Sequence, residues 1–171
     1  MTSAFLHGIA RLRVTIGFIT SALALWLAQP TPRTLAAGAV VAVLGEAVRV
    51  WAAGHLEKGR EVTTSGPYAW TRHPLYVGST LIGIGLAIAS ASVVVCVLVV
   101  AYLAITLTAA IRTEEAHLTD KFGDAYPSYR NGNAAGGQRR FSAERAMRNR
   151  EYRAMLGLLA VLALFAWKAR H

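Results

Sequence analysis

The amino-acid sequence predicts an all-α integral membrane bundle of about five transmembrane helices, in a single domain that spans residues 1–171. Hydrophobic residues make up 54% of the chain and charged residues only 16%, against about 25% charged residues in a typical soluble domain. The apolar residues are gathered in long runs with charged stretches between them, whereas a soluble core would distribute them at amphipathic spacing. The single cysteine, Cys96, excludes an internal disulfide.

Five segments are long enough, or nearly so, to cross about 30 Å of hydrocarbon at 1.5 Å per residue. They are residues 9–28, 34–54, 74–90, 92–111 and 152–168. Arg11 and Arg13 precede the apolar part of the first segment, but no small-residue cleavage site follows it. We therefore interpret this segment as a retained helix and not as a signal peptide.

The connections between these segments predict how the helices are arranged. Pro30 and Pro32 separate the first two, because proline ends one helix and suits the first turn of the next. Only residues 90–92 separate the third and fourth, which predicts a tight antiparallel hairpin. The fifth segment either spans the membrane or lies flat on its surface. A stripe of small residues, four apart, predicts a close neighbour for the third segment: Ser79, Gly83, Ala87 and Ala91.

The formal net charge of +9 is explained by basic juxtamembrane loops, and no nucleic-acid partner is expected. With the N-terminus inside, fourteen lysines and arginines fall on the inner side, against Arg33, Lys168 and Arg170 on the outer side. This bias places the loops 55–73 and 112–151 on the cytoplasmic side of a multi-pass protein, and the Ala-, Val- and Arg-rich composition favours a bacterial inner membrane. The basic stretch 139–153 is expected to rest against anionic headgroups.

The first candidate functional segment, residues 66–78, lies at the entry to the third helix. Pro74 suits the first helical position, where a missing N–H costs nothing. Arg72 and His73 then lie beside the free N–H groups of that helix, a place that suits an anionic group. Tyr76 offers a ring for stacking and a hydroxyl for hydrogen bonding. The alternative is that these side chains only anchor the helix in the membrane interface.

The second candidate segment, residues 112–129, continues the fourth helix out of the membrane. An apolar face extends this helix to Phe122, and Gly123 is expected to end it. Glu114 and Glu115 lie at the membrane exit, where carboxylates can receive an ammonium group or ribose hydroxyls. The alternative is a solvated helix end with local Arg–Glu pairs that contribute little to stability.

The two segments resemble the isoprenylcysteine carboxyl methyltransferase family and its phospholipid methyltransferase relatives. The shared pattern begins with Gly-x-Tyr-x-x-x-Arg-His-Pro-x-Tyr-x-Gly, which here is Gly66 to Gly78. A helical hairpin follows, and then Glu-Glu-x-x-Leu-x-x-x-Phe-Gly-x-x-Tyr-x-x-Tyr, which here is Glu114 to Tyr129. The resemblance covers residues 45–141, which we therefore expect to form the catalytic core.

The resemblance implies a methyltransferase that depends on S-adenosyl-L-methionine. The donor would bind in a pocket at the cytoplasmic membrane edge, and a lipophilic or prenylated acceptor would enter from the bilayer. The implied catalytic residues are His73, Arg112 and Glu115, with Arg112 orienting the acceptor. An amine or thiol acceptor would need His73 or a glutamate as base, whereas a carboxylate needs none. The implied donor contacts are Arg60, Glu61, Val62, Thr63, Tyr68, His73, Pro74, Leu75, Tyr76 and Glu114.

The acceptor class stays open at this point. A prenylated-cysteine-like carboxylate is the first choice, with a phospholipid amine or a small thiol as alternatives. Two other functions are an NADPH-dependent sterol-type reductase, since that family is similar in its terminal helices, and a non-catalytic membrane module or transporter with Glu46 as coupling acid. Glu46 and Arg49 lie three residues apart in the second segment, either as a structural pair or as part of the acceptor cavity. The scattered histidines predict no metal site.

Overall fold

The computed structural model describes residues 17–133 and 136–171, and every regular element within those residues is helical. The all-α prediction is confirmed for this part of the chain. The predicted segments 34–54, 74–90, 92–111 and 152–168 each fall on one helix, whereas residues 9–16 of the first segment lie outside the described residues. The elements are α1, described over Gly17–Leu27, α2 (Pro32–His55), a 3₁₀ helix (Gly66–Ala69), α3 (Pro74–Ala89), α4 (Val93–Phe122), α5 (Ala125–Arg130), α6 (Ala143–Arg148) and α7 (Tyr152–Lys168).

The ends of the helices follow from local sequence. Pro32 and Pro74 occupy the first turns of α2 and α3, and the Thr31 side chain caps α2. Gly123 ends α4 with a φ of 53°, in the left-handed region that glycine adopts readily. Helix α4 therefore runs to Phe122, as predicted. Its 30 residues extend about 45 Å at 1.5 Å per residue, which is longer than the hydrocarbon of a bilayer is thick.

Glycines bring the backbones of α2 and α3 into contact. A Cβ atom added at Gly85 would lie 2.5 Å from the backbone nitrogen of Ala42, and one added at Gly45 would lie 2.7 Å from the carbonyl oxygen of Gly78. Gly38 faces Gly85 at similarly short range. The glycines are seven residues apart on both helices, so each pair repeats on the same helical face. Small residues in this arrangement allow membrane helices to pack closely.

The small-residue stripe predicted on α3 is divided between two contacts, because Ser79 accepts a hydrogen bond from Arg49 of α2. Gly83, which belongs to that stripe, faces α4, where an added Cβ atom would lie 2.6 Å from Cδ1 of Leu103. The backbone-to-backbone approach of α3 is to α2 and uses Gly78 and Gly85, which lie outside the predicted stripe. The four-residue spacing therefore identified one packed face of α3 but not the tighter one.

Helix α7 extends along the bundle from one end to the other. At its C-terminal end Phe165 packs against α1 and against Ala89 of α3. At its N-terminal end Glu151 forms an ion pair with Arg49 of α2, with 2.6 Å between Oε1 and Nε. Lys168 satisfies carbonyls at the C-terminal end of α1 by donating hydrogen bonds to Leu25, Trp26 and Ala28. The two ends of α7 thus contact opposite ends of the other helices.

Helices α2 and α4 are long and apolar enough to cross a bilayer, while α1, over its described residues, and α3 are apolar but shorter. Helix α4 is not the buried core helix of a soluble protein, because Val93, Val97, Val100 and Ile105 are each more than half exposed. An apolar surface of this extent on so long a helix suits hydrocarbon and not water. These features are those of a membrane protein.

Replacement of Gly85 by alanine is expected to lower the free energy of unfolding by about 1–3 kcal/mol, because the new Cβ atom would meet the α2 backbone. Gly157→Ala on α7 is the matched control, since nothing lies within 4 Å of a Cβ atom built at that position. Thermal unfolding of both variants in detergent measures the difference. Equal stability of the two variants would contradict the proposed role of the glycine contact.

Candidate active site

A cavity of about 740 Å³ lies where the polar segments meet at one end of the bundle. Its walls come from the C-terminal end of α2 and the loop that follows, the 3₁₀ helix, the first turn of α3, the second half of α4, and α5. Arg60, one of the ten expected donor contacts, is exposed and does not line this cavity. The other nine line it: Glu61, Val62, Thr63, Tyr68, His73, Pro74, Leu75, Tyr76 and Glu114.

The entry to α3 is tied to the exit of α4 through the carboxylate of Glu115. His73, 42 residues earlier in the chain, places Nε2 3.1 Å from Oε1 of Glu115. Arg72 lies 3.4 Å from the same oxygen, and the Tyr126 hydroxyl donates a hydrogen bond to it at 3.2 Å. Three donors from two distant segments therefore converge on one acceptor atom. The ring of His73 is also stacked on that of Tyr76, with 5.7 Å between centroids.

The two neighbouring glutamates of α4 have different positions. Glu115 is engaged by His73, Arg72 and Tyr126 and does not line the cavity. Glu114 lines the cavity directly. Consecutive residues of a helix point in directions about 100° apart, so only one of the two can face the interior of the site. Glu115 is placed to hold the wall together, and Glu114 is placed to meet a ligand.

Three tyrosines contribute neutral hydroxyl groups to the site. Burial raises the pKa of the Tyr126 phenol to about 12, with a further contribution from the carboxylate of Glu115. Burial likewise raises the pKa of Tyr68, with the charge of Glu114 adding to the effect, and it raises the pKa of Tyr129. Tyr129 donates its hydroxyl hydrogen to the backbone oxygen of Tyr68. At neutral pH these groups are hydrogen-bond donors and not bases.

Glu57, in the loop after α2, forms ion pairs with arginines of the segment that precedes and forms α6. Its Oε1 atom lies 2.8 Å from Nε of Arg145, 3.0 Å from Arg148 and 3.2 Å from Arg139. The hydrogen bond from Arg145 is the main cause that lowers the pKa of Glu57, and the charges of Arg148 and Arg139 add to it. Arg139 also pairs with Glu61 at 2.7 Å. Because Glu57 and Glu61 both line the cavity, these arginines hold in place the part of the cavity wall that the loop after α2 forms.

Residues 137–149, which we call the roof segment, also satisfy the C-terminal end of α2. Asn149 donates to the backbone oxygens of Ala53 and Leu56 at 2.8 and 2.9 Å, where an isolated helix would leave carbonyls unpaired. The ring of Phe141 occupies the space left by the missing side chain of Gly54. Of the arginines in residues 139–153, Arg139 and Arg145 are partly buried against Glu57, whereas Arg140, Arg148, Arg150 and Arg153 are exposed. The contact of this segment with lipid headgroups stays a prediction.

The polar residues within α2 are separated by the structure. Arg49 lines the cavity and forms its ion pair with Glu151 of α7, not with Glu46. Glu46 is buried, does not line the cavity, and has no hydrogen-bond partner for either carboxylate oxygen among the described residues. The sequence left two alternatives for these residues, a structural pair and a place in the cavity wall. Only Arg49 lies in the cavity wall.

Arg112 lies on an exposed face of α4 and does not line the cavity. His117 and Lys121, which the motifs did not single out, do line it. They follow Glu114 by three and seven residues, a spacing that keeps them on the same side of the helix. Helical periodicity applied to Glu114 would have identified both. For Arg49 the sequence left the cavity as one of two alternatives and did not decide between them.

Comparison with known proteins relates the chain to membrane methyltransferases. The family model for phospholipid methyltransferase matches residues 12–125. The protein-S-isoprenylcysteine O-methyltransferase of Schizosaccharomyces pombe is 34% identical over 73 residues, which cover 43% of this chain and 31% of that protein. The cobalt-zinc-cadmium resistance protein CzcN of Cupriavidus metallidurans is 31% identical over 126 residues, which cover 68% of this chain and 57% of CzcN. The chain thus spans less than two thirds of either relative. No solved structure matches it significantly.

The ion pairs of Glu57 predict a pH-dependent contribution to stability. A carboxylate whose pKa is lowered by folding stabilises the folded state above its ordinary value, 4.5 for glutamate, and loses this effect as the pH falls below it. The difference in melting temperature between the wild type and Glu57→Gln is therefore expected to be largest near about pH 7 and to shrink towards about pH 3.

Glu144→Gln is the control for this measurement. Glu144 is an exposed residue of α6 and forms no ion pair within the described part of the chain. Its substitution should leave the melting temperature close to that of the wild type at neutral pH. A Glu57→Gln effect that stays constant through the acid range would show that the arginine cluster does not stabilise the fold through charge.

Proposed function

This chain belongs to the phospholipid methyltransferase family, and we propose that it transfers a methyl group from S-adenosyl-L-methionine to a lipophilic acceptor taken from the bilayer. The observation that carries this proposal is the position of His73 and Glu114 on the wall of one cavity. Their segments are far apart in the chain and are joined through the contact between His73 and Glu115. A volume of about 740 Å³ lies in the range typical of small-molecule sites.

The chemistry of the cavity wall fits the donor. The carboxylate of Glu114 can receive an ammonium group or ribose hydroxyls, and the aromatic rings of Tyr68 and Tyr76 can meet an adenine ring or a cation. When bound, the donor supplies a methyl carbon that its positively charged sulfur activates. The remaining task of the protein is to align the acceptor with that carbon and to exclude water.

The polar wall of the cavity changes to small and apolar side chains towards the membrane. Thr106, Ala109 and Ala110 of α4 and Leu75 of α3 line this part. We propose that the apolar part of the acceptor lies here after entering between helices. In the transfer a bond forms between the acceptor atom and the methyl carbon while the carbon–sulfur bond breaks. A carboxylate acceptor releases no proton, whereas an amine or thiol must lose one, and His73 or Glu114 is then the candidate base.

The names of the relatives suggest the acceptor classes to be tested. A carboxylate on an isoprenylcysteine-like molecule or peptide is our first choice, because the Schizosaccharomyces pombe relative carries that name. The family name points to a phospholipid amine as the alternative, and a small thiol is a third. Arg112, given its exposed position, would act on an acceptor only from outside the cavity, so its proposed orienting role is the least supported of the three catalytic assignments.

We also propose that α1, α2, α3, α4 and α7 all cross the membrane, with the cavity at the cytoplasmic surface of a bacterial inner membrane. The support for α7 is that its two ends contact opposite ends of the bundle. The support for the orientation is the excess of lysine and arginine in the loops on the cavity side.

Binding of S-adenosylhomocysteine to the purified protein in detergent, measured by calorimetry, tests the proposal. His73→Ala and Glu114→Ala are each expected to weaken binding about tenfold, the usual effect of removing a hydrogen bond to a charged group. Glu144→Ala on α6, away from the cavity wall, should leave the affinity unchanged. The melting temperature of each variant, recorded in parallel, separates lost contacts from lost folding.

NADPH serves as the competing ligand in the same experiment. Saturable binding of NADPH with none of S-adenosylhomocysteine would replace the methyltransferase proposal with a reductase. Binding of neither ligand by a folded protein would instead favour a non-catalytic membrane module. Saturable binding of S-adenosylhomocysteine that the His73→Ala and Glu114→Ala variants weaken would support the proposed donor site.

A further inference from the structure

Arg49 reaches the cavity from within α2 because a glycine lies in its path. A Cβ atom added at Gly78 would lie 2.5 Å from Cγ of Arg49, so the arginine side chain crosses α3 through the space that this glycine leaves. The side chain of Arg49 is 21% exposed, and Arg49 lines the cavity. The remaining accessible surface of this arginine therefore belongs with the site and not with a solvated outer face.

Contacts from two neighbouring helices fix the orientation of the guanidinium group. Its Nε atom donates to Glu151 of α7 at 2.6 Å, and its Nη1 atom donates to Oγ of Ser79 and, at 3.5 Å, to the backbone oxygen of Leu75 on α3. A guanidinium carries five N–H donors. The two donors on Nη2 have no partner within residues 17–133 and 136–171, and Nη2 is not among the buried unpaired atoms, so these donors are accessible to a ligand.

Arg49 lies at the membrane side of the cavity. Thr106 and Phe122 of α4 both line the cavity, and sixteen residues of helix separate them by about 24 Å. Phe122 marks the end of the cavity near the loops, where Lys58 and Lys121 also line it. Arg49 bonds to Leu75 and Ser79 of α3, and Gly83, one turn further along α3, packs against Leu103 of α4. Because α3 and α4 form an antiparallel hairpin, Arg49 therefore lies level with Thr106 and Ala109 and not with Phe122. The hydroxyl of Thr106 already donates to the backbone of its own helix at 2.6 Å, so the free donors at this end come from Arg49.

We propose that Arg49 binds an oxyanion on the acceptor through an N–H donor of Nη2, and so selects acceptors in which a negatively charged oxygen group adjoins an apolar chain. This inference rests on the proposed function, since it places the acceptor at the membrane end of the same cavity. A hydrogen bond between a guanidinium and a carboxylate or phosphate oxygen joins two charged groups and is strong. The bonds of Nε to Glu151 and of Nη1 to Ser79 hold the guanidinium in place.

The binding of acceptor analogues to the full-length protein in detergent, without any methyl donor, tests this role. One probe is N-acetyl-S-farnesylcysteine, which carries a carboxylate, and its carboxamide is the neutral counterpart. The wild type is expected to bind the carboxylate at least about tenfold more tightly than the carboxamide. Arg49→Lys should remove most of this preference, because an ammonium nitrogen close enough to bond to Glu151 cannot also reach the position that Nη2 occupies. Glu46→Gln, one turn away and outside the cavity lining, is the control and should retain it.

A short-chain phosphatidylethanolamine, with a phosphate as its oxyanion, forms the second arm of the experiment. Binding of either probe that depends on Arg49 supports the inference, and the arm in which it occurs identifies the oxyanion. The inference is overturned if the wild type binds neither probe, or if Arg49→Lys and Glu46→Gln bind them equally well. Because Arg49→Lys could unfold, the comparison of carboxylate with carboxamide in the wild type decides independently: equal affinities there, with no binding of the phosphate probe, also overturn it.

The proposed function and this inference can fail separately. S-adenosylhomocysteine is measured on the same samples, and Arg49→Lys is expected to change its affinity less than twofold. Oxyanion binding that depends on Arg49 in a protein that does not bind S-adenosylhomocysteine would refute the methyltransferase and leave the oxyanion site standing. The reverse result would keep the donor site and remove Arg49 from acceptor recognition.

Discussion

The candidate site depends on the contacts of one carboxylate, that of Glu115 on α4. It accepts hydrogen bonds from His73 and Tyr126 and forms an ion pair with Arg72. These contacts are possible because α4 is about 45 Å long and carries its polar end past the hydrocarbon, to the level at which α3 begins. A helix that ended at the membrane surface, near residue 111, would stop before both glutamates. The length of α4 and the position of Pro74 therefore determine whether the two candidate functional segments of this chain meet at all.

The cavity wall is completed by residues that lie outside the region matched by the family model. That region ends at residue 125, whereas the roof segment supplies the arginines that bind Glu57 and the asparagine that caps α2. The loop between α2 and the 3₁₀ helix has no regular structure of its own, so its position depends on these contacts. A carboxylate that receives several guanidinium groups at partial burial is held more firmly than a single exposed ion pair.

Hydropathy predicted the four long helices α2, α3, α4 and α7, and helix-end signals predicted the end of α4 at Gly123. Both kinds of signal depend on local sequence. The resemblance to methyltransferases pointed to nine residues that do line the cavity. Neither source separated Glu114 from Glu115, since that distinction depends on how far α4 is rotated against α3. Nor did they indicate the partner of Arg49, which lies 102 residues away at Glu151, or the pairing of Glu57 with Arg145 and Arg148 of α6. Such pairings are set by tertiary packing, and periodicity within one segment contains no information about them.

Arg49 illustrates why a polar residue inside a membrane segment needs a structural explanation. Burying a charge in a bilayer is costly, and the pair with Glu151 offsets part of that cost. A pair that served stability alone would be expected to use all the donors that the guanidinium offers, yet two on Nη2 are left without a partner in the described structure while a glycine and a serine of α3 accommodate the rest of the side chain. An accessible donor without a protein partner is available to a ligand that enters the cavity. The same helix contact that brings α2 and α3 together at their glycines thus also leaves the space through which the Arg49 side chain reaches the cavity.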